Sequence, residues 1–472
     1  MSNISHPSTD TALPSNIKRR DFLKGMLAVG AGSAISVGPV SRALASPKFA
    51  KSGQLRAANS AEAVGDLTFT GWSYGVSTIE SNISTFEKAH PGVKVSFEDF
   101  SWSDYDATMV ARFVGQTPTD VCYSNDAWLQ QWAAATWIHP IAEVLPAVNQ
   151  YATDFFPYVR AGMTFNNKLY GVPYYADTWA FLYNEDHLKK AGIAKPPATW
   201  DELTDQAKQI KAKGIAEFPV ILTFSEEDPD STEVWQSMVF SLSNGHLFDK
   251  NNNAVFNHPG SALERTIEWI ASALHDSKIL DPGSLVSMEI PTVTSMASGA
   301  NTFTILETYN QAALNKSGSG KYAGKFKMAE MPGDTHNTVG YVRFYAVTNP
   351  LLARDKKTIA DAANFLNYFG GKVNGQFSPV VVRWAVEEGL GFGWESLWDD
   401  PKVVKAFSTW GDPAMLKQNQ RLARLKEGLT SYYPQFDIFA RAELQKAYTR
   451  SESAQACMSA LAKEWEDLKA ES

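Results

Sequence analysis

Aromatic rings and planar polar side chains occur together at several places in this 472-residue chain. Trp72, Ser73 and Tyr74 close the alternating run that begins at Leu67. Asn125 and Asp126 come a short turn after Asp120-Val121-Cys122-Tyr123. Tyr174, Tyr175, Asp177 and Trp179 put three rings and a carboxylate into one short stretch. Glu307 and Tyr309 follow the apolar run Phe303-Thr304-Ile305-Leu306, and Tyr341 and Arg343 lie in the next β-rich segment. Flat rings offer platforms for apolar C–H faces, while carboxylates, amides and guanidinium groups offer planar hydrogen bonds. Strand ends are where α/β proteins place ligands. The chemistry these residues suit is reversible capture of a small molecule. Each also fits ordinary packing in an aromatic-rich protein, and Asn125 or Asp126 could simply cap the helix containing Trp128. Arg383, Trp384 and Phe436 are further candidates with the same two readings.

Patterns for other chemistry are weak. Cys122 and Cys457 match no metal or redox spacing and read as two buried thiols, although an oxidising compartment would permit a bridge. His-x-x-x-His and Glu-x-x-His are absent from the sequence. The acidic run Glu226, Glu227, Asp228 and Asp230 lacks EF-hand spacing and reads as a solvated loop. No metal and no cofactor are expected. A glycosidase would need two carboxylates facing one bond, and Asp177 with Glu307 or Asp126 are the pairs to consider.

The N-terminus sets the compartment. Lys18-Arg19-Arg20-Asp21-Phe22-Leu23-Lys24 precedes a short, Gly-rich apolar stretch, Gly25 to Gly38, and then Ala43-Leu44-Ala45. This is the layout of a cleavable export signal. Its paired arginines resemble a twin-arginine (Tat) signal, so residues 1–45 are expected to engage the Tat translocase and be removed. The apolar stretch is shorter than the roughly 20 residues a spanning helix needs, and no Cys follows it for lipidation. Residues 46–65 are small, polar and unpatterned, as in a flexible leader. These features predict a periplasmic protein, and a monomer is expected. The formal net charge is −8. Cleavage of the signal would remove Lys18, Arg19, Arg20, Lys24 and Arg42 but only Asp10 and Asp21, leaving a still more acidic chain. That argues against nucleic acid as a partner.

The elements that must position the candidate residues alternate. Leu67–Trp72 and Val93–Phe97 read as strands, with a helix between them carrying Ile79, Ile83 and Phe86. Strand–helix–strand units of this kind build parallel sheets. Thr199 and Glu202 form a capping-box pattern for a helix that Gly214 ends. Pro219–Thr223, Phe303–Leu306 and Tyr341–Val347 read as strands, and the last stretch of the chain as mostly helix. A chain of this length exceeds one core, so two lobes are expected. With 12% aromatic residues and 14 Trp, some rings are expected to line a binding surface rather than a core.

Several segments then point to a family. Phe86-Glu87-Lys88-Ala89-His90-Pro91-Gly92-Val93-Lys94-Val95, Pro118-Thr119-Asp120-Val121 and Tyr170-Gly171-Val172-Pro173-Tyr174 come first. Leu182-Tyr183-Asn184-Glu185-Asp186, Lys190-Ala191-Gly192 and Pro197-Ala198-Thr199-Trp200-Asp201-Glu202-Leu203 follow in order. Together they resemble extracellular solute-binding proteins of family 1, which deliver carbohydrates to ABC importers. The resemblance implies an α/β, two-lobe periplasmic-binding-protein fold (type II, Venus-flytrap) with a hinge between lobes. It places residues 66–174 and 346–372 in lobe one, and 178–342 and 373–472 in lobe two. It implies a sugar or polyol held in the cleft, transfer to ABC permease subunits, and no catalysis. Ligand contacts are implied at Trp72, Tyr74, Asn125, Asp126, Tyr174, Asp177, Trp179, Trp235, Glu307, Tyr309, Tyr341 and Arg343. Two places depart from the family. Leu306-Glu307-Thr308-Tyr309 stands where a Gly-x-Trp is usual, and Gly340-Tyr341-Val342-Arg343 where a Gly-Gly is usual.

Overall fold

The computed structural model describes residues 67–472. The expected signal 1–45 and leader 46–65 lie outside the described residues. Strand β1 (Leu67–Trp72) is followed by helix α1 (Val76–Ala89), β2 (Val95–Phe100), α2 (Trp102–Val114), β3 (Val121–Asn125) and α3 (Asp126–Ala134). Ile79, Ile83 and Phe86 recur at three- and four-residue intervals and form the buried stripe of α1. β1 pairs in parallel with both β2 and β3, as the strand–helix–strand reading requires.

Two long strands carry the architecture. β4 (Gly171–Asn184) runs well past the expected Tyr174, because its apolar and aromatic residues are buried on both faces. Its first half pairs antiparallel with a later strand, Thr338–Thr348. Its second half pairs antiparallel with β5 (Phe303–Glu307) and β6 (Phe326–Ala329). Counting in chain order, Thr338–Thr348 is β7, and it also pairs antiparallel with β3. The sheet order is therefore β2-β1-β3-β7-β4-β5, with β6 beside β4. Pro219–Thr223 forms only isolated bridges, Val220 with Leu280 and Phe303. The expected strand is too short to extend the ladder there.

Two hydrophobic cores flank this sheet. Phe69, Tyr123, Tyr345 and Phe365 pack ring against ring in the first. Phe181, Trp200, Phe248 and Trp465 belong to the second. Residues 373–472 contribute to both cores. Val380, Trp384, Leu397 and Phe407 join the first core, while Phe436, Cys457 and Trp465 join the second. Both cysteines are buried and free. In the second half, helix α4 (Trp200–Ala212) starts at Thr199, whose side chain accepts from Glu202 N at 3.1 Å. Glu202 in turn accepts from Ala198 N at 2.8 Å. Gly214 closes the helix with φ of 65°. Helices α5 (Asp230–Phe240) and α6 (Thr308–Asn315) follow. Among the described residues no helix is long and apolar enough to cross a membrane.

Candidate functional site

The β4–β7 ladder contains an irregularity that builds the site. Arg343 pairs with Tyr175, but the next residue, Phe344, pairs with Pro173. Tyr174 is therefore an extra residue on β4, a β-bulge. Successive strand residues normally point to opposite faces. The bulge lets Tyr174 and Tyr175 line the same cavity.

That cavity, of about 440 Å³, is walled by Trp72, Tyr74, Trp102, Tyr174, Tyr175, Tyr309 and Tyr341, with Arg343, one carboxylate, Glu388, and Ser73, Ala312, Gly389 and Leu390 also lining it. Trp72 ends β1, and Tyr74 follows on a turn that requires Gly75. Gly75 has φ of 59°, and a Cβ there would lie 2.8 Å from the Trp384 ring. Tyr74 is 42% exposed and forms the rim. The Arg343 guanidinium lies 4.4 Å from the Trp102 ring centroid, 5.2 Å from Tyr175, 5.4 Å from Tyr341 and 5.7 Å from Trp72. Stacking of this kind fixes the orientation of the planar group and leaves its N–H edges free. Among the described residues, its side chain makes no hydrogen bond or ion pair.

A second cavity of about 370 Å³ shares Trp102, Tyr341 and Arg343 with the first. Its chemistry is different. Asp126, Asp228, Asp230, Glu233 and Glu307 line it, with Lys426 as the second cation. Three helix starts converge here. Asp126 opens α3, whose N-cap Asn125 accepts from Trp128 N at 2.9 Å. Asp230 opens α5. Glu307 is the N-cap residue of α6 and accepts from Asn310 Nδ2 at 3.2 Å. Lys426 pairs with Glu233, both side chains being about nine-tenths buried. Burial pushes the Asp126 carboxyl up to about 6, and Glu233 pushes the same way against the pull of Lys426. Burial, then the neighbouring carboxylates, raise Glu307 and Asp230 well above the usual carboxylate range.

Residues 72–369 match the family model for bacterial extracellular solute-binding proteins. The chain belongs to that family. A candidate binding protein of Brucella abortus is 28% identical over 232 residues, covering 48% of this chain and 54% of the relative. The match thus spans about half of that curated relative's length. A maltose-bound protein of T. maritima superposes with a TM-score of 0.68 at 19% identity, covering 85% of this chain and 99% of the other. An Agrobacterium vitis ABC transporter solute-binding protein with bound D-mannitol superposes with a TM-score of 0.63 at 17% identity, covering 86% and 98%. The solute-binding protein shares their two-lobe α/β fold.

Ten of the twelve ligand contacts expected from the sequence line the two cavities of the solute-binding protein. Asp177 and Trp235 do not. Asp177 is buried behind the wall and accepts from Thr308 Oγ1, from Thr178 N at 2.8 Å and from Tyr175 OH at 3.2 Å. Because Tyr175 donates to Asp177, its oxygen accepts from Tyr341 OH, 2.8 Å away. Asp177 therefore orients two cavity tyrosines without lining the cavity. Thr308, in the segment that departs from the usual Gly-x-Trp, is one of its anchors. Trp235 is packed inside the second core, since nearly all of α5 is buried. Arg383 pairs with Glu387 at 2.7 Å, Trp384 packs on Tyr174 and Phe436 on Trp465. The acidic run was expected to be solvated. Glu226 and Glu227 are exposed, but Asp228 and Asp230 line the second cavity because α5 starts there. Trp102, Trp128, Glu233 and Lys426 were not foreseen. Trp102 and Trp128 carried a signal, being aromatic at helix starts, whereas Lys426 carried none.

Asp177 also gives a pH test. Burial pushes it up to about 6, against the hydrogen bonds from Thr308, Thr178, Tyr175 and the Tyr309 backbone that pull it down. An unfolded Asp titrates near about 4. Between these values the native state holds more protons, so stability rises as pH falls through that window. Asp126, Asp230 and Glu307 act in the same direction, while His187, pushed down to about 4 by burial, opposes them. The urea midpoint is expected to be higher at pH 5 than at pH 7.5, and Asp177→Asn to reduce that difference. An unchanged difference in the variant refutes the role of Asp177.

Proposed function

We propose that this protein is the periplasmic solute-binding component of an ABC importer, exported by the Tat route as a monomer. It captures a carbohydrate or polyol between its lobes and presents the closed form to the permease, without catalysis and without a cofactor. The observation that carries this reading is the aromatic cavity with Arg343 stacked in it and its N–H edges unused. Rings at right angles and a free planar donor suit a molecule with apolar faces and hydroxyl edges. Ligand contacts with both lobes would bias a hinge toward closure. Relatives that bind maltose or D-mannitol favour the same solute class. The hydrolase reading is disfavoured because both catalytic pairs considered include Asp177, which does not line either cavity.

The test is a thermal-shift screen of the mature protein against mono-, di- and oligosaccharides, polyols, sugar acids and sugar phosphates. Binding to the native state alone adds RT ln(1 + [L]/Kd), about 4 kcal/mol at a thousandfold excess. A large upward shift with one of the sugars or polyols, and recovery of that ligand intact, is the expected result. A shift only with compounds outside these classes, or turnover of the ligand, overturns the proposal.

A further inference from the structure

The second cavity is more acidic than capture of a neutral sugar requires. Five carboxylates line it against two cationic side chains, Lys426 and Arg343. Lys426 is already taken by Glu233, and Arg343 is stacked among rings at the boundary with the first cavity. The helix starts at Asp126, Asp230 and Glu307 add roughly half a positive charge each, which does not balance the remaining acids. Two acceptor atoms at this cavity have no hydrogen-bond partner among the described residues: Asp126 Oδ2 and Glu233 Oε2. Asp126 is 4% exposed and Glu233 7%. A buried carboxylate oxygen left unpaired costs more than a neutral group would, so the arrangement is incomplete without a donor. A hydroxyl supplies one proton and no charge. A protonated amine supplies several N–H donors and offsets the mutual repulsion.

Resting on the carbohydrate reading above, we infer that the solute carries a protonated amino group, an amino sugar or amino polyol, with the ammonium held by Asp126, Asp230 and Glu307. The sugar or polyol skeleton then lies in the aromatic cavity, and Arg343 takes hydroxyl oxygens at the junction while its charge keeps the ammonium on the far side. Burial, then Glu233, Asp228 and Glu289, push Asp230 up, and burial, then Asp230 and Glu289, push Glu307 up, which agrees with a site short of a cation. A metal ion is a poor occupant, since no group of three or more His, Cys, Asp or Glu among the described residues is set to hold one.

The experiment is calorimetric titration of the mature protein with matched pairs: D-glucosamine and D-glucose, D-galactosamine and D-galactose, and glucamine and sorbitol. N-acetylglucosamine serves as the uncharged amide control. The amino member of at least one pair is expected to bind at least about tenfold tighter, to weaken from 50 to 500 mM NaCl, and to lose its advantage on acetylation. Glu307→Gln and Asp126→Asn are expected to bring the amino-to-neutral affinity ratio toward one. Equal or tighter binding of the neutral member overturns the inference and leaves the carbohydrate reading intact. A ligand without an ammonium emerging from the broader screen, with no amino compound bound, does the same. Failure of every sugar and polyol in both experiments overturns the carbohydrate reading and this inference together.

Discussion

Arg343→Ala is expected to weaken solute binding by about a hundredfold or more. The side chain is the boundary between the two cavities and contacts four rings, 4.4 to 5.7 Å from their centroids. Truncating it removes free donors in a desolvated site, and also the flat surface that holds Trp102 and Tyr341 apart. Arginine, with tryptophan and tyrosine, is enriched among interface hot spots, which lose about 2 kcal/mol or more on truncation, and each 1.4 kcal/mol is about tenfold in affinity. Arg343→Lys keeps the charge but not the planar fork, so an intermediate loss is expected. Calorimetry with the ligand found by the screen measures both. If Arg343→Ala binds within about threefold of the parent, the ligand does not use the junction and the site is misplaced.

Lys426→Met is expected to destabilise the protein by about 3–5 kcal/mol, the typical result of removing one partner of a buried ion pair. Lys426 and Glu233 have side-chain exposures of 11% and 10%. Burial lowers the Lys426 ammonium, but Glu233, then Tyr433 and Asp126, outweigh it and hold the group well above its ordinary range. Without the lysine, Glu233 would face Asp126 and Asp230 with no partner. Adding Glu233→Gln to Lys426→Met removes that orphaned charge and is expected to recover most of the loss. Denaturant midpoints of the parent, the single variant and the double variant decide it. A single variant within about 1 kcal/mol of the parent would mean that water reaches this pair and screens it.

How far the sequence reveals such a site depends on the physical cause of each position. Alternation and helical spacing locate β1, α1 and β3, and with them Trp72, Tyr74, Asn125 and Asp126 at strand ends. The same alternation cannot say which of Tyr174, Tyr175 and Asp177 reaches the cleft. That is decided by a bulge opposite Arg343 and by Thr308 from another strand end. Trp235 was misplaced because a buried helix and a cleft-facing helix start look alike in one dimension. Lys426 reaches the cavity because the short strand Ala423–Leu425 pairs with Thr338–Gly340, a contact between segments far apart in the chain. Asp228 and Asp230 looked solvated because a run of acids usually is; the fold turns part of that run inward.

The sheet order also governs how the protein is made. β3 and β4 emerge from the ribosome early, each with one hydrogen-bonding edge reserved for β7, which is synthesised long afterwards. Until Thr338–Thr348 arrives, both edges are open and neither core can close around Tyr345 or Val339. Pairings across such long separations form slowly, and open strand edges recruit other chains. A nascent chain stopped before β7 therefore consists of two unfinished half-sheets whose open edges are prone to aggregate until most of the polypeptide has been translated.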